Sequence, residues 1–132
     1  MNFLKNIFKE NTSNSTETSN ENVKFFTLDN MEQFDVIDVI SNTKPVVLFK
    51  HSTRCSISRM ALKQFDAEFN YPEEKINWYL LDLLNHRDLS NEIASRYHVV
   101  HQSPQIVVIR NGKAIFNESH ENIAADNLKQ FT

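Results

Sequence analysis

The stretch Pro45-Val46-Val47-Leu48-Phe49-Lys50-His51-Ser52-Thr53-Arg54-Cys55-Ser56-Ile57-Ser58-Arg59 leads from an apolar run to the only cysteine in 132 residues. Pro45 to Lys50 lacks the alternation of a half-exposed strand, so it reads as a central strand buried on both faces. Beyond Cys55, the residues Ile57, Ala61, Phe65 and Phe69 recur four apart with Leu62 beside them, while Arg59, Lys63 and Asp66 fall on other faces. That period predicts a helix to about Asn70. Cys55 therefore stands where a strand hands over to a helix. A free cysteine is among the most often buried residue types, so a lone one reads first as core. The junction argues otherwise: a helix N-terminus offers unpaired backbone N–H groups and the positive end of the dipole, and both favour a thiolate.

Working outward, Met31, Phe34, Ile37 and Ile40 draw one helical face, with Asp29 or Asn30 as cap. Ile76 to Asp82 (INWYLLD) reads as a second buried strand, and Leu89, Ile93 and Tyr97 mark a helix that Asn85 could open. Gln105–Arg110 and Lys113–Asn117 flank Asn111-Gly112, which holds the only glycine of the chain. Asn-Gly between apolar runs is the strongest short hairpin signal. Ser119 could cap a last helix carrying Ile123, Ala124, Leu128 and Phe131. Crossover connections followed by a hairpin and a terminal helix predict an α/β fold, a central mixed sheet flanked by helices.

The whole chain sets outer bounds. Its length suits one folded domain, and 40% hydrophobic residues with ten Phe can supply a core. A formal net charge of −3 leaves no basic footprint for nucleic acid. One cysteine permits no internal disulfide, which favours a reducing, cytoplasmic setting. The opening MNFLKNIFKE puts Phe3, Leu4, Ile7 and Phe8 on one helical face without an apolar run of signal-peptide length, so neither a secretion segment nor a membrane span is expected. Residues 11–22 (NTSNSTETSNEN) contain no apolar residue and cannot offset the entropy of ordering. The expected organisation is an amphipathic arm and flexible polar linker over 1–22, then a folded domain over 23–132.

This order of elements, with the X-Pro pair Ser103-Pro104 directly before the hairpin, resembles the thioredoxin fold over roughly Val23 to Thr132. In that fold a cysteine motif lies at the junction of a central strand and the next helix, facing a cis-proline; Cys55 and Pro104 occupy those places. Lys50-His51-Ser52-Thr53-Arg54-Cys55-Ser56-Ile57-Ser58, Ser103-Pro104-Gln105 and Ser119-His120 together are similar to the monothiol bacilliredoxins of bacillithiol-using bacteria. Ser56 departs from the family's common Cys-Pro-Ile-Ser and removes a rigid residue at the helix start. The resemblance implies a thiol–disulfide oxidoreductase that reverses protein S-bacillithiolation, with Cys55 as the catalytic thiol.

It further implies that Thr53, Arg54, Ser56 and Ser58 position or stabilise the thiol. Ser58 stands where dithiol enzymes of this fold place a resolving cysteine; it could serve as a polar first-turn residue or hydrogen-bond Cys55. Between Val39 and Phe65 there is no Asp or Glu, whereas Lys44, Lys50, Arg54, Arg59 and Lys63 all lie there. Bacillithiol carries a malate group, whose carboxylates suit Arg54, Lys50 or His101. Ser103 and Pro104 would line the thiol-binding groove. The expected partners are bacillithiol, as co-substrate, and S-bacillithiolated proteins, for a monomer with no tightly bound cofactor. An iron–sulfur carrier using Cys55 and an external thiol in a dimer is the alternative. His51, His86, His98, His101 and His120 show no recognised zinc spacing, so no metal is expected. A Cys-x5-Arg phosphatase loop would need arginine where Ala61 stands.

Overall fold

The computed structural model describes residues 25–132; the expectations for the arm and linker over 1–22 lie outside the described residues. Five strands form one sheet: β1 (Phe26–Thr27), β2 (Val46–His51), β3 (Asn77–Asp82), β4 (Gln105–Arg110) and β5 (Lys113–Ser119), in the spatial order β1-β3-β2-β4-β5. β1, β3 and β2 run parallel, and β4 and β5 are antiparallel to their neighbours. The parallel pairs need crossovers, supplied by α1 (Gln33–Ile40) and α2 (Ser56–Glu68); α3 (Arg87–Tyr97) joins β3 to β4. The mixed α/β sheet expected from the sequence is the observed one.

Every residue of β2 is buried. Its side chains alternate between two cores. Val46 and Leu48 join Phe34, Ile37, Leu89 and Ile93 beneath α1 and α3. Val47 and Phe49 join Phe65, Trp78 and Leu128 beneath α2 and the C-terminal segment. The same alternation sends Lys50 toward the α3 side and His51 toward α2, a division that organises the site. On the second face Trp78 lies 4.9 Å from Phe65 in an edge-on arrangement, and Phe49 lies 5.2 Å from Phe65. Burying each such ring contributes about 1.5–3 kcal/mol.

Local chemistry sets the ends of the elements. Glu32 holds the N-cap position of α1 without a side-chain cap, and Asn30 acts one turn earlier: its Oδ1 accepts the Gln33 N–H at 3.2 Å, while Gln33 Oε1 accepts the N–H groups of Asp29 and Asn30, a reciprocal arrangement across the turn that leads into the helix. The hairpin turns on Asn111 and Gly112, both left-handed (φ 54° and 73°), as Asn-Gly turns require.

Several expectations are corrected. Met31 is exposed, because it lies in the turn ahead of α1. Asn85 does not cap α3; His86 holds the N-cap position, and Asn85 is tied instead to Asp82, whose carboxylate accepts from Leu84 N, Asn85 N and Asn85 Nδ2. The C-terminal helix is two 3₁₀ segments, His120–Asn122 and Ala125–Phe131, and the Ser119 side chain caps neither of them. Ile57 is 56% exposed and leaves the apolar face that Phe65 and Phe69 keep. β1 is an element the apolar pattern does not announce: two exposed residues held by pairing with Tyr79 and Leu80.

Candidate active site

The carboxyl end of β2 delivers the chain into the turn that carries Cys55. Leu83 N–H donates to His51 O at 3.0 Å, which anchors the strand end to β3, and Cys55 N–H donates to Ser52 O at 3.2 Å, which closes the turn. Cys55 is the N-cap of α2 with extended backbone (φ −105°, ψ 124°), and its carbonyl accepts the Arg59 N–H at 3.0 Å. The first-turn N–H groups after it have no intrahelical acceptor. Cys55 as a residue is partly exposed, with its backbone held on both sides.

Ser58, three residues on, is fully buried. Its Oγ accepts the Ser52 N–H at 2.9 Å and lies 2.8 Å from His51 Nδ1. Burial holds the His51 imidazole below its ordinary pKa, and Arg59 pushes the same way while Asp82 opposes. A neutral His51 protonated at Nε2 accepts the Ser58 O–H at Nδ1, and the Ser58 oxygen still takes the Ser52 N–H. Of the two roles open to Ser58, the hydrogen bonds favour the structural one: the hydroxyl ties the start of α2 to the turn before Cys55. Thr53 and Arg54 are exposed at the tip, where Arg59 Nη1 donates to Thr53 O at 3.2 Å; Ser56 is exposed as the first residue of α2.

On the other face of β2, Lys50 is fully buried. Its Nζ lies 2.7 Å from His101 Nδ1 and 3.0 Å from Gln105 Oε1, and burial lowers its pKa to about 8. His101 is lowered as well, first by burial, then by Lys50 and Arg87. Gln105 pairs with Lys50 across β2 and β4, accepts Gln102 N–H and donates to Val100 O. Lys50 and Gln105 thus brace the loop that leads to Ser103-Pro104, which is cis, as its place before the hairpin suggested. Pro104 O accepts the His120 N–H at 3.1 Å, where His120 is left-handed (φ 58°). The structure brings Lys50 and His101 together, but with the ammonium turned inward.

Sequence reasoning missed four contributors. His51 was placed just past the strand, although the two-residue period aims it at α2. Gln105 carried its signal in the register opposite Lys50. Arg87 and Asn85 carried none, because only the β3–α3 loop brings them beside Arg54, where Thr53, Arg54, Leu84, Asn85 and Arg87 line one cavity. A second, more apolar cavity on the α2 side is lined by Ile57, Met60, Ala61, Gln64, His120, Glu121 and Ile123. Among the described residues no helix is long and apolar enough to cross a membrane.

Comparison with known proteins follows the same lines. A solved structure described as an oxidoreductase with a thioredoxin fold is 34% identical, with 81% of this chain and 92% of that chain covered and a TM-score of 0.68. Thioredoxin from Malassezia sympodialis is 19% identical (80% and 85% covered, TM-score 0.63), and the short form of spinach chloroplast thioredoxin f is 14% identical (81% and 88% covered, TM-score 0.61); both speak to the fold alone. The family model described as monothiol bacilliredoxin BrxC matches residues 26–128. With a thioredoxin fold and its single cysteine at the β2–α2 junction, the chain belongs to the monothiol bacilliredoxin family.

Proposed function

We propose that the protein removes bacillithiol from S-bacillithiolated proteins through a Cys55–bacillithiol mixed disulfide. The Cys55 thiolate attacks the bacillithiol sulfur of the modified protein. A Cys55–bacillithiol S–S bond forms, the bond to the target sulfur breaks, and the target leaves as a thiolate that takes a proton from water. A second bacillithiol thiolate then attacks the bacillithiol sulfur held on Cys55. Bacillithiol disulfide departs with the two oxidising equivalents, and Cys55 returns as thiolate. Bacillithiol is co-substrate, and the reading includes no tightly bound cofactor.

The observation that supports this cycle most is the contrast between the two ends of the Cys-x-x-Ser motif. Cys55 is partly exposed, and Ser58 is buried with its hydroxyl spent on His51 and Ser52. No second thiol exists in the chain to resolve a mixed disulfide. Intact-mass measurement tests the reading: with bacillithiol disulfide the protein gains one bacillithiol and stops, reduced bacillithiol restores the free thiol, and Cys55→Ser gains nothing. Target release by Cys55→Ser at the wild-type rate refutes the mechanism. A brown protein from oxygen-free purification that takes up no bacillithiol replaces it with the iron–sulfur carrier.

A further inference from the structure

Two cavities flank the α2 end of the site, and they differ in chemistry. The one formed by Thr53, Arg54, Leu84, Asn85 and Arg87 measures about 330 Å³, within the size range of small-molecule sites. Arg54 directly precedes the nucleophile, and Arg87 is the first residue of α3. Among the described residues, neither guanidinium makes an ion pair or a side-chain hydrogen bond. The other arginines do: Arg96 meets Asp35, Asp38 and Glu92, Arg59 meets Thr53 O, and Arg110 meets Ser41 O. Asp82, two residues before Leu84, is committed to Leu84 and Asn85. Asp88 is exposed beside Arg87.

We propose that this cavity is a dicarboxylate subsite that seats the malyl end of the low-molecular-weight thiol taken up by Cys55. The proposal rests on the reading of bacillithiol as co-substrate. Two guanidinium forks within one small cavity match two carboxylates, each able to accept a bidentate pair. Lysines scattered on a surface would supply charge without that geometry. The cavity's Arg87 lies close enough to His101 to act on it together with the Lys50 ammonium, 2.7 Å from the His101 ring. A malyl group held here leaves the sulfur of the same molecule to reach Cys55 one residue from Arg54. The subsite assigns selectivity to Arg54 and Arg87 and frees Lys50 for bracing the cis-proline loop.

Two measurements on the full chain test it. The first is an NMR titration with L-malate, a probe that needs no chemistry at Cys55. The amides of Thr53, Arg54, Asn85 and Arg87 shift together and saturate, and the response disappears in the Arg54→Gln/Arg87→Gln double variant. The second compares mixed-disulfide formation from bacillithiol disulfide and from the disulfide of the same thiol without its malyl group. The wild type prefers the malyl form by about tenfold or more, the factor of one net charge-assisted hydrogen bond, and either Arg→Gln variant brings the ratio toward one. Equal rates in the wild type, or malate shifts unaltered by the double variant, overturn the subsite while de-bacillithiolation stands. If the wild type takes up neither disulfide the reaction assigned to Cys55 fails, and the malate titration alone decides whether the cavity is a dicarboxylate site.

Discussion

Replacing Ser58 by alanine isolates what the serine of the Cys-x-x-Ser motif does. The substitution removes a hydroxyl that is fully buried and has two partners, and it leaves little void. His51 Nδ1 loses its partner in a buried setting, while the partly buried Ser52 N–H can recover some hydration. Leaving one buried polar group unsatisfied costs about 1–3 kcal/mol. With the second group partly rehydrated, the expected loss is about 2–3 kcal/mol. At this chain length that lowers Tm by roughly 8–12 °C. Urea unfolding checks the value, with a lower midpoint and an unchanged m. Ser56→Ala, at an exposed position, shifts stability by no more than about 0.5 kcal/mol. Bacillithiol transfer by Ser58→Ala slows only modestly, because the thiol keeps its helix terminus. A stability within about 0.5 kcal/mol of wild type would show that the hydrogen bonds through Ser58 do not hold the turn.

Three further perturbations read the electrostatics. Lys50 titrates at about 8 when folded against 10.5 when free, so the unfolded chain binds the extra proton between these values and stability rises with pH across that window; Lys50→Met removes that rise in urea titrations from pH 8 to 10.5. His51 is held below its ordinary 6.5 in the fold, with Asp82 and Arg59 as the charged groups acting on it, so its contribution is present above 6.5 and is lost as pH falls. His51→Asn keeps an acceptor near the Nδ1 position and flattens part of the acid limb, to which His101, lowered in the same sense, also contributes. Arg54→Glu slows bacillithiol removal several-fold at about 0.01 M salt and much less at about 1 M, since exposed charges are screened; identical rates at both salts would make Arg54 a bystander.

The parts of this fold legible in the sequence are those whose physics is local. β2, β3, the hairpin and the core of α2 follow from apolar period, β-branched runs and the Asn111-Gly112 turn, and each appears within a residue or two of its expected bounds. β1 fails that test because its two residues are exposed and are fixed only by their partners on β3. The C-terminal apolar residues do reach the core, Ile123 and Leu128 among them, but the chain winds as 3₁₀ turns broken at Ile123 and Ala124, which both adopt extended backbone. Ile57 satisfies the four-residue spacing yet sits in the first turn of α2, beyond the reach of the core, next to the cavity that His120 closes. At the site, Cys55 was legible from its junction, whereas Arg87 and Asn85 depend on where the β3–α3 loop lands.

The same geometry explains why a monothiol centre can be well ordered without a second cysteine. Both backbone groups of Cys55 are engaged, the N–H by Ser52 O and the carbonyl by Arg59 N–H, so the turn is fixed and only the side chain is left to react. In a dithiol site the third residue on must approach the first to form a disulfide. Here that residue points into the β2–α2 interface and binds His51 and Ser52. A cysteine in its place would exchange a good acceptor for a weak one and give up the hydrogen bonds to His51 and Ser52. The mixed disulfide formed in the proposed cycle therefore waits for an external thiol. Exchange between disulfides of similar thiols has little intrinsic driving force, so access to the held sulfur and the supply of attacking thiolate set the direction. A buried, spent hydroxyl at Ser58 and an exposed, basic approach at Arg54 meet those two requirements from opposite sides of the same turn.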